Sequence, residues 1–361
     1  MFYIRADGND KIGMGHIMRC LAIAEAVRAC GEEVTFLTAD DKPVKMIEAN
    51  GFACHILFTY YDEMDVELPQ LVLLLAGAAE TDQNGKTVRP KILIDSYFVT
   101  EFYLQNLRLS ASVILMDDMK TRVYPCDVLI NYNIYGPLLG YENDYPEQTR
   151  LLLGASFVPL RKEFCEKKAE IRDRVRRILI TTGGGDSCHM ALNFARKAVQ
   201  QDDFIYDIIC GPFCPDTEAL KKMAQENACL QIHENVTNMS EIMLECDLAV
   251  SAAGSTLYEL CALGIPTIGF YFVENQRRNM EAFASGTPIL NAGDFSQDPD
   301  ATIAFIRKEI EVLSASKEIR ERISTVMKAL VDGQGAERLA GALLGKSLQG
   351  EKQRRKDNGS A

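Results

Sequence analysis

At 361 residues the chain is long for one hydrophobic core and comfortable for two. Its 47% hydrophobic and 25% charged residues are the balance of an ordinary globular protein. The net charge of -12 argues against a nucleic-acid binder, since no stretch of the sequence builds a basic face. It does not exclude an anionic small molecule, because backbone amides and one or two side chains bind phosphate locally.

Residues 1–4 form a short apolar run. "KIGMGHIMRC" (11–20) follows, and from His16 the apolar positions Ile17, Leu21, Ala24 and Val27 recur at helical spacing until Gly31 stops them. "EEVTFLT" (32–38), "KILIDS" (91–96), "SVILMDD" (112–118) and "DVLINYN" (127–133) read as strands. Between 154 and 177 the pattern breaks, and "RKEFCEKKAEIRDRVRR" is dense enough in charge to predict an exposed helical connector. Strands resume with "RRILITT" (176–182), "FIYDIIC" (204–210), "CDLAVSA" (246–252) and "IPTIGFY" (265–271). Helices are expected from about 301 to 348, and a polar tail closes the chain.

Short runs that are apolar throughout suggest strands buried on both faces, and alternation with helices implies parallel pairing. The expectation is an α/β protein of two doubly wound halves. Residues 1–155 would form an N-terminal Rossmann-like domain, 156–175 a linker, 176–346 a C-terminal Rossmann-like domain, and 347–361 a disordered tail. Ligands of such sheets sit outside the carboxyl ends of the strands. Two such edges facing a cleft would make the site.

Eleven cysteines are scattered without a CxxC pair or companion histidines, so buried thiols in a reducing compartment are expected. The closest pair, Cys210 and Cys214, leaves a metal or disulfide role as the alternative. Charges begin at Arg5, and the longest apolar run, 71–79, is too short to span a bilayer. A cytoplasmic protein without an integral membrane segment is expected.

The chemistry-bearing stretches lie at strand-to-helix junctions. Gly13 and Gly15 permit a tight turn after the first strand and bring His16 to a helix N-terminus, where the dipole disfavours a charged imidazole. A neutral histidine there is a base, or else it only caps the helix. "TTGGGDS" (181–187) repeats the design with Gly183 and Gly184, and Asp186 reads as a helix cap before it reads as catalytic. "SAAGSTLYE" (251–259) places Gly254, Ser255 and Thr256 at another helix start, which suits a diphosphate. Glu259, a turn deeper, either accepts ribose hydroxyls or is simply an exposed helical glutamate. "ENQRRN" (274–279) supplies further amides. Asp117 and Asp118 read first as loop structure, with a sugar contact as the alternative. No HxxxH or DxD pattern marks a metal, and no cofactor is implied.

These motifs resemble the GT-B group of nucleotide-sugar enzymes, and within it the UDP-sugar hydrolases of pseudaminic acid biosynthesis and the related spore-coat polysaccharide proteins. The resemblance rests on "IRADGNDKIGMGHIMRC", "ILIDSY", "ILMDD", "DVLINYN", "LLGASFVPLRKEF", "TTGGGD", "SAAGSTLYELCALGIPTI" and "NQRRN", and covers about residues 1–283. It implies a GT-B fold and removal of UDP from UDP-2,4-diacetamido-2,4,6-trideoxy-β-L-altropyranose. Water would attack the anomeric carbon with inversion and without a metal. It also implies His16 as base, Tyr97 near the reacting water and sugar, Asn275 and Gln276 on the diphosphate, and Glu259 on the ribose. Gly13, Gly15 and Asn279 would line the substrate. "AETDQNGKTVRP" (79–90) and the helical C-terminus make the chain longer than compact family members.

UDP is already a stable anion, so no carboxylic acid is required to protonate the leaving group, as a glycosidase would need. Amides and a helix dipole near Gly254 can meet the growing charge. An inverting UDP-sugar glycosyltransferase of the same fold is the rival enzyme. It would be expected to carry a basic or apolar surface for its acceptor. A catalytically silent nucleotide-sugar binding subunit is the rival from another class.

Overall fold

The computed structural model describes residues 1–9, 11–81, 85, 87–198 and 204–345, with the side chain of Asn275 excepted. The polar tail and part of the 79–90 stretch lie outside the described residues. The chain divides into two units, one of Met1–Arg161 with the chain from Gln334 onward, the other Lys162–Gly333.

The first unit opens with β1 (Phe2–Ala6), α1 (Gly15–Ala29), β2 (Val34–Thr38), α2 (Val44–Ala49) and β3 (Ala53–Ile56). It continues with α3 (Leu68–Gly77), a small hairpin of β4 (Glu80–Thr81) and β5 (Thr87–Val88), β6 (Lys91–Asp95), α4 (Glu101–Leu107), β7 (Ser112–Met116), β8 (Val128–Asn131), α5 (Tyr141–Asp144) and β9 (Arg150–Leu153). Seven strands form one sheet in the order β3-β2-β1-β6-β7-β8-β9, with every pair parallel. Every residue of β1 is buried, including Arg5. That cation is tolerated because Glu67 grips its guanidinium at 2.7 and 2.9 Å and Asp7 at 2.5 Å. One face of the sheet packs Leu71, Leu75, Tyr103, Leu104 and Leu107 of α3 and α4 against Ile92, Ile94, Val113 and Leu115.

The second unit contains β10 (Arg177–Thr181), α6 (Met190–Ala198), β11 (Ile205–Cys210), α7 (Thr217–Glu226), β12 (Leu230–Glu234), α8 (Met239–Glu245) and β13 (Leu248–Ala252). After these come α9 (Thr256–Leu263), β14 (Thr267–Tyr271), α10 (Glu274–Gly286), β15 (Leu290–Asp294), α11 (Pro299–Ala315) and α12 (Lys317–Leu330). Its parallel sheet has the order β12-β11-β10-β13-β14-β15.

The nine strands expected, the first at residues 1–4 and the eight quoted segments, are present. The four longer strands that the sequence did not announce, β3, β9, β12 and β15, are the outer edges of the two sheets. Edge strands are buried on fewer sides, and β3 alternates exposed and half-buried residues instead of forming an apolar run.

Two expectations are corrected. Residues 161–176 are not a helical connector, for they hold one short 3₁₀ turn, Lys162–Phe164, and otherwise turns, bends and irregular chain. Their charges grip backbone carbonyls of the second unit. Lys168 donates to Ala262 and Asp332, Arg172 to Leu244 and Glu245, and the amide of Ala169 to Leu263. The last helix, α13 (Gly335–Leu344), belongs to the first unit, not to the C-terminal domain. It lies on α1 and buries Ala336, Leu339, Ala340 and Leu343. Gly335 packs so tightly on the backbone of Val158 that a Cβ would collide with it, and Arg338 donates to the carbonyl of Ser156 at 2.9 Å.

Candidate functional site

In the first unit the strand order reverses at β1 and β6, and the loops leaving their carboxyl ends bound the crevice where open α/β sheets take ligands. The loop after β1 is tightly closed. Asn9 and Gly13 exchange both backbone hydrogen bonds, and the Asn9 side chain accepts the amides of Lys11 and Ile12 at 2.9 and 3.1 Å. Gly13 sits at φ +73°, where a side chain would be strained. Gly15 then begins α1, which has no side-chain cap, so His16 does not serve as one.

His16 is 7% exposed and its Nδ1 lies 2.7 Å from Oδ1 of Asp95, the last residue of β6. A carboxylate only accepts, so the contact places a proton on Nδ1, and Nε2 is the acceptor in the neutral tautomer that this bond selects. Among the described residues nothing hydrogen-bonds Nε2. Burial alone would raise the Asp95 carboxyl. Arg19 and His16 outweigh that and hold it well below the usual carboxylate range. Arg19 grips Asp95 at 2.6 and 2.5 Å and reaches Asp118 and the Tyr132 hydroxyl at 2.8 Å each. It stands three residues after His16, on the same face of α1.

Tyr97 sets its ring edge-on to the imidazole, with centroids 4.8 Å apart. Half of its surface is exposed, yet its hydroxyl points inward and donates to Asp118 at 3.1 Å. Burial of that hydroxyl, together with the Asp118 charge, pushes the phenol upward, so it stays protonated and a donor. The acidic pair divides. Asp117 takes the amides of Met119 and Lys120 and the Tyr141 hydroxyl, which is loop structure. Asp118 joins the network around His16 and also accepts from Asn133 at 3.1 Å. The sequence reading did not single out Asp95 or Arg19. The available signals were a lone carboxylate ending an apolar strand and an arginine one helical turn beyond the histidine.

In the second unit the order reverses at β10 and β13, and both following loops are the glycine-rich ones. After β10, Gly183 has φ +83°. Gly185 bridges Phe213, and Gly211 lies so close to the Gly183 and Gly184 carbonyls that a Cβ would clash. Asp186 is fully buried and accepts the amides of Met190 and Ala191 at 2.8 and 2.9 Å. It caps α6, and burial raises its carboxyl. This helix start is therefore already filled by the chain's own acid. The other start differs, because no side chain caps α9, and Gly254, Ser255 and Thr256 lead into it with Glu259 in its first turn. The amides of Leu257 and Tyr258 bond the carbonyls of Gly254 and Ser255 at 3.2 and 3.0 Å, so the amides of Ser255 and Thr256 are what this start offers an anion, with no carboxylate seated on them.

Asn279, expected to line the substrate, has a structural role as well. The residue is 4% exposed and both ends of its amide are engaged, Nδ2 with the carbonyl of Ala253 at 3.0 Å and Oδ1 with the Tyr258 hydroxyl at 2.7 Å. It braces the loop before Gly254. Gln276 accepts the amide of Phe272 at 3.2 Å, closing the turn into α10, and Asn275 stands in the first turn of α10. All eleven cysteines are free thiols, and burial with the neighbouring Cys214 pushes Cys210 up to about 12. Among the described residues no three His, Cys, Asp or Glu side chains are grouped to hold a metal ion, and no helix is long and apolar enough to cross a membrane.

No protein-family model matches the chain. It is 28% identical over 291 residues to an uncharacterized protein of Methanocaldococcus jannaschii, covering 76% of this chain and 56% of that one, so it spans little more than half of that relative's length. It is 26% identical over 355 residues to the spore coat polysaccharide biosynthesis protein SpsG of Bacillus subtilis, covering 94% and 96%. It is 23% identical over 280 residues to the UDP-2,4-diacetamido-2,4,6-trideoxy-beta-L-altropyranose hydrolase of Campylobacter jejuni, covering 75% and 92%. Among solved structures, MurG of Acinetobacter baumannii superposes with a TM-score of 0.61 at 13% identity over 95% of this chain and 98% of its own. The calicheamicin glycosyltransferase CalG4 gives 0.61 at 11% identity over 96% and 98%. These neighbours are GT-B glycosyltransferases, and the chain shares their fold, with parallel sheets in two Rossmann-like units.

Proposed function

We propose that the protein is a UDP-sugar hydrolase that releases UDP from a UDP-linked 2,4-diacetamido-2,4,6-trideoxy sugar, in the making of pseudaminic acid or a related surface glycan. The observation that carries this reading is the His16–Asp95 pair at the carboxyl edge of the first sheet, with Nε2 unpartnered among the described residues. The names of the Campylobacter and Bacillus relatives support the substrate class. His16 draws a proton from water through Nε2 while Asp95 holds the ring's orientation and tautomer. Water attacks the anomeric carbon, the bond to the UDP oxygen breaks, and the configuration inverts. Tyr97, kept protonated, donates toward water or sugar. The second unit holds UDP, with Gly254, Ser255 and Thr256 facing the diphosphate, Glu259 the ribose, and the first turn of α10 supplying Asn275 and Gln276. Gly183 and Gly184 line the neighbouring loop. Amides at the start of α9 meet the charge that grows on the leaving group.

Transfer to an apolar acceptor is a second reading, favoured by one observation. Phe98, beside Tyr97, is exposed and packs edge-on against Tyr61, and Phe58, Tyr60 and Phe102 are exposed as well, all just beyond the carboxyl ends of β3 and β6. One experiment separates the two. The protein is given the UDP-sugar in heavy-oxygen water, with and without candidate acceptors, and both products are weighed. Hydrolysis at the sugar puts the label in the free sugar, first seen as the inverted anomer by rapid NMR. Label in UDP would move the attack to phosphorus, and UDP release that requires an acceptor would make the protein a transferase.

A further inference from the structure

At the amino edge of the second sheet, opposite its glycine loops, an open cavity of about 600 Å³ lies between residues 172–177 and the pair Glu245 and Asp247. The size is that of a small-ligand pocket. Its walls are strongly charged, and the charges do not cancel. Asp247, nearly inaccessible, accepts Arg172 at 2.8 Å and the backbone amides of Arg176 and Arg177 at 2.7 and 3.0 Å. Asp173 is taken by Lys317 at 2.6 Å. Arg177 reaches down to the buried Asp207 at 2.5 Å and lies 3.7 Å from Glu245. Asp247 and Asp173 thus each face a cation of their own, and Arg177 is shared between Asp207 and the exposed Glu245. The guanidiniums of Arg174 and Arg176 have no side-chain or carbonyl partner among the described residues.

Solvated surface arginines are the ordinary explanation, and two features set this pair apart. Both line one concavity, in a chain whose net charge is -12. The backbone that carries them is also fixed. Val175 between them is buried, the Arg176 amide is tied to Asp247, and the buried Arg320 donates to the carbonyls of Arg172 and Asp173 at 2.8 and 3.0 Å. The ordering that a flexible arginine would need before binding is partly done. Guanidinium forks match the oxygens of phosphate in pairs, and two of them balance two charges.

We propose that this cavity binds a small phosphorylated molecule carrying two negative charges, held by Arg174 and Arg176, at a site separate from the UDP-binding loops. The probe is inorganic pyrophosphate, titrated by equilibrium dialysis into the whole protein with UDP present in excess, so that the glycine loops are already filled. The expected result is one pyrophosphate per chain, weakened at least tenfold in the R174Q/R176Q double variant and weakened by added salt. UDP titrates both proteins alike, which shows the variant is folded. In the unaltered protein pyrophosphate should also shield Arg174 and Arg176 from phenylglyoxal, read peptide by peptide in a mass spectrometer. Equal pyrophosphate isotherms for both proteins, or no shielding of these two arginines, would overturn the proposal. A failure of UDP to bind would count against the hydrolase reading, and equal thermal unfolding midpoints of the two proteins would then show the variant folded and leave the comparison of the isotherms intact.

Discussion

Replacing Asp95 with asparagine separates a positioned base from a histidine that is merely buried. The bond from His16 Nδ1 to Asp95 is 2.7 Å long, and both residues are nearly inaccessible to solvent. A hydrogen bond to a charged group contributes about 1.5–3 kcal/mol. At about 1.4 kcal/mol per factor of ten, its loss in the transition state lowers kcat roughly ten- to 150-fold. The asparagine amide can also turn its NH₂ to Nδ1 and drive the ring proton onto Nε2, the atom that must accept. That extends the loss toward about 10⁴-fold, the scale known when a triad aspartate is made an amide. His16→Ala, which removes the base itself, should cost about two orders of magnitude or more while UDP affinity changes little. UDP release is the assay, run well below the unfolding temperature, because Arg19 keeps Asp118 but exchanges its second charged partner for a neutral one, and stability falls by about 1–3 kcal/mol. The folded carboxyl lies well below its unfolded value of about 3.9, so Asp95's contribution is complete at neutral pH. It is lost as pH falls from about 5 toward the folded pKa, and the variant's stability should decline less steeply in acid. A folded Asp95→Asn protein with kcat within about threefold of the original would refute the reasoning.

Glu259→Ala should weaken UDP binding by about 1.5–3 kcal/mol in calorimetry, and unchanged affinity would return Glu259 to its helix surface. Asn279→Ala removes two buried hydrogen bonds, to the Tyr258 hydroxyl and to the Ala253 carbonyl. Stability should fall by about 1–3 kcal/mol on thermal unfolding, and a loss of UDP affinity without that fall would restore Asn279 as a ligand contact. Activity should survive excess chelator, and a loss reversed by magnesium or manganese would mean that a cation supplies what the α9 amides are proposed to supply.

The interior of each sheet was legible because burial on both faces forces continuous apolar runs, and the glycine loops were legible because tight turns at strand ends require them. The helix stop at Gly31, the cap at Asp186 and the loop role of Asp117 follow from local chemistry in the same way. The edge strands were not legible, since one side of an edge is free to be polar. Nor was the path of residues 161–176, whose charges mimic a solvated helix until the carbonyls they grip are known. The network around His16 was half legible, with its histidine and tyrosine in recognisable blocks. Asp95 and Arg19 become part of it only when β1 and β6 lie side by side, which brings residues 76 and 79 positions apart into hydrogen-bond range. Asn279 shows the opposite case, where a polar residue in a suggestive block is turned inward by a partner 21 positions away. Sequence by itself determined the two α/β units, their buried strands and the loops at their ends, because those depend on local periodicity and backbone freedom. Tertiary structure decided which side chains meet, that α13 returns to the first unit, and which of two helix starts is left uncapped, because hydrogen-bond partners distant in sequence are fixed only by packing.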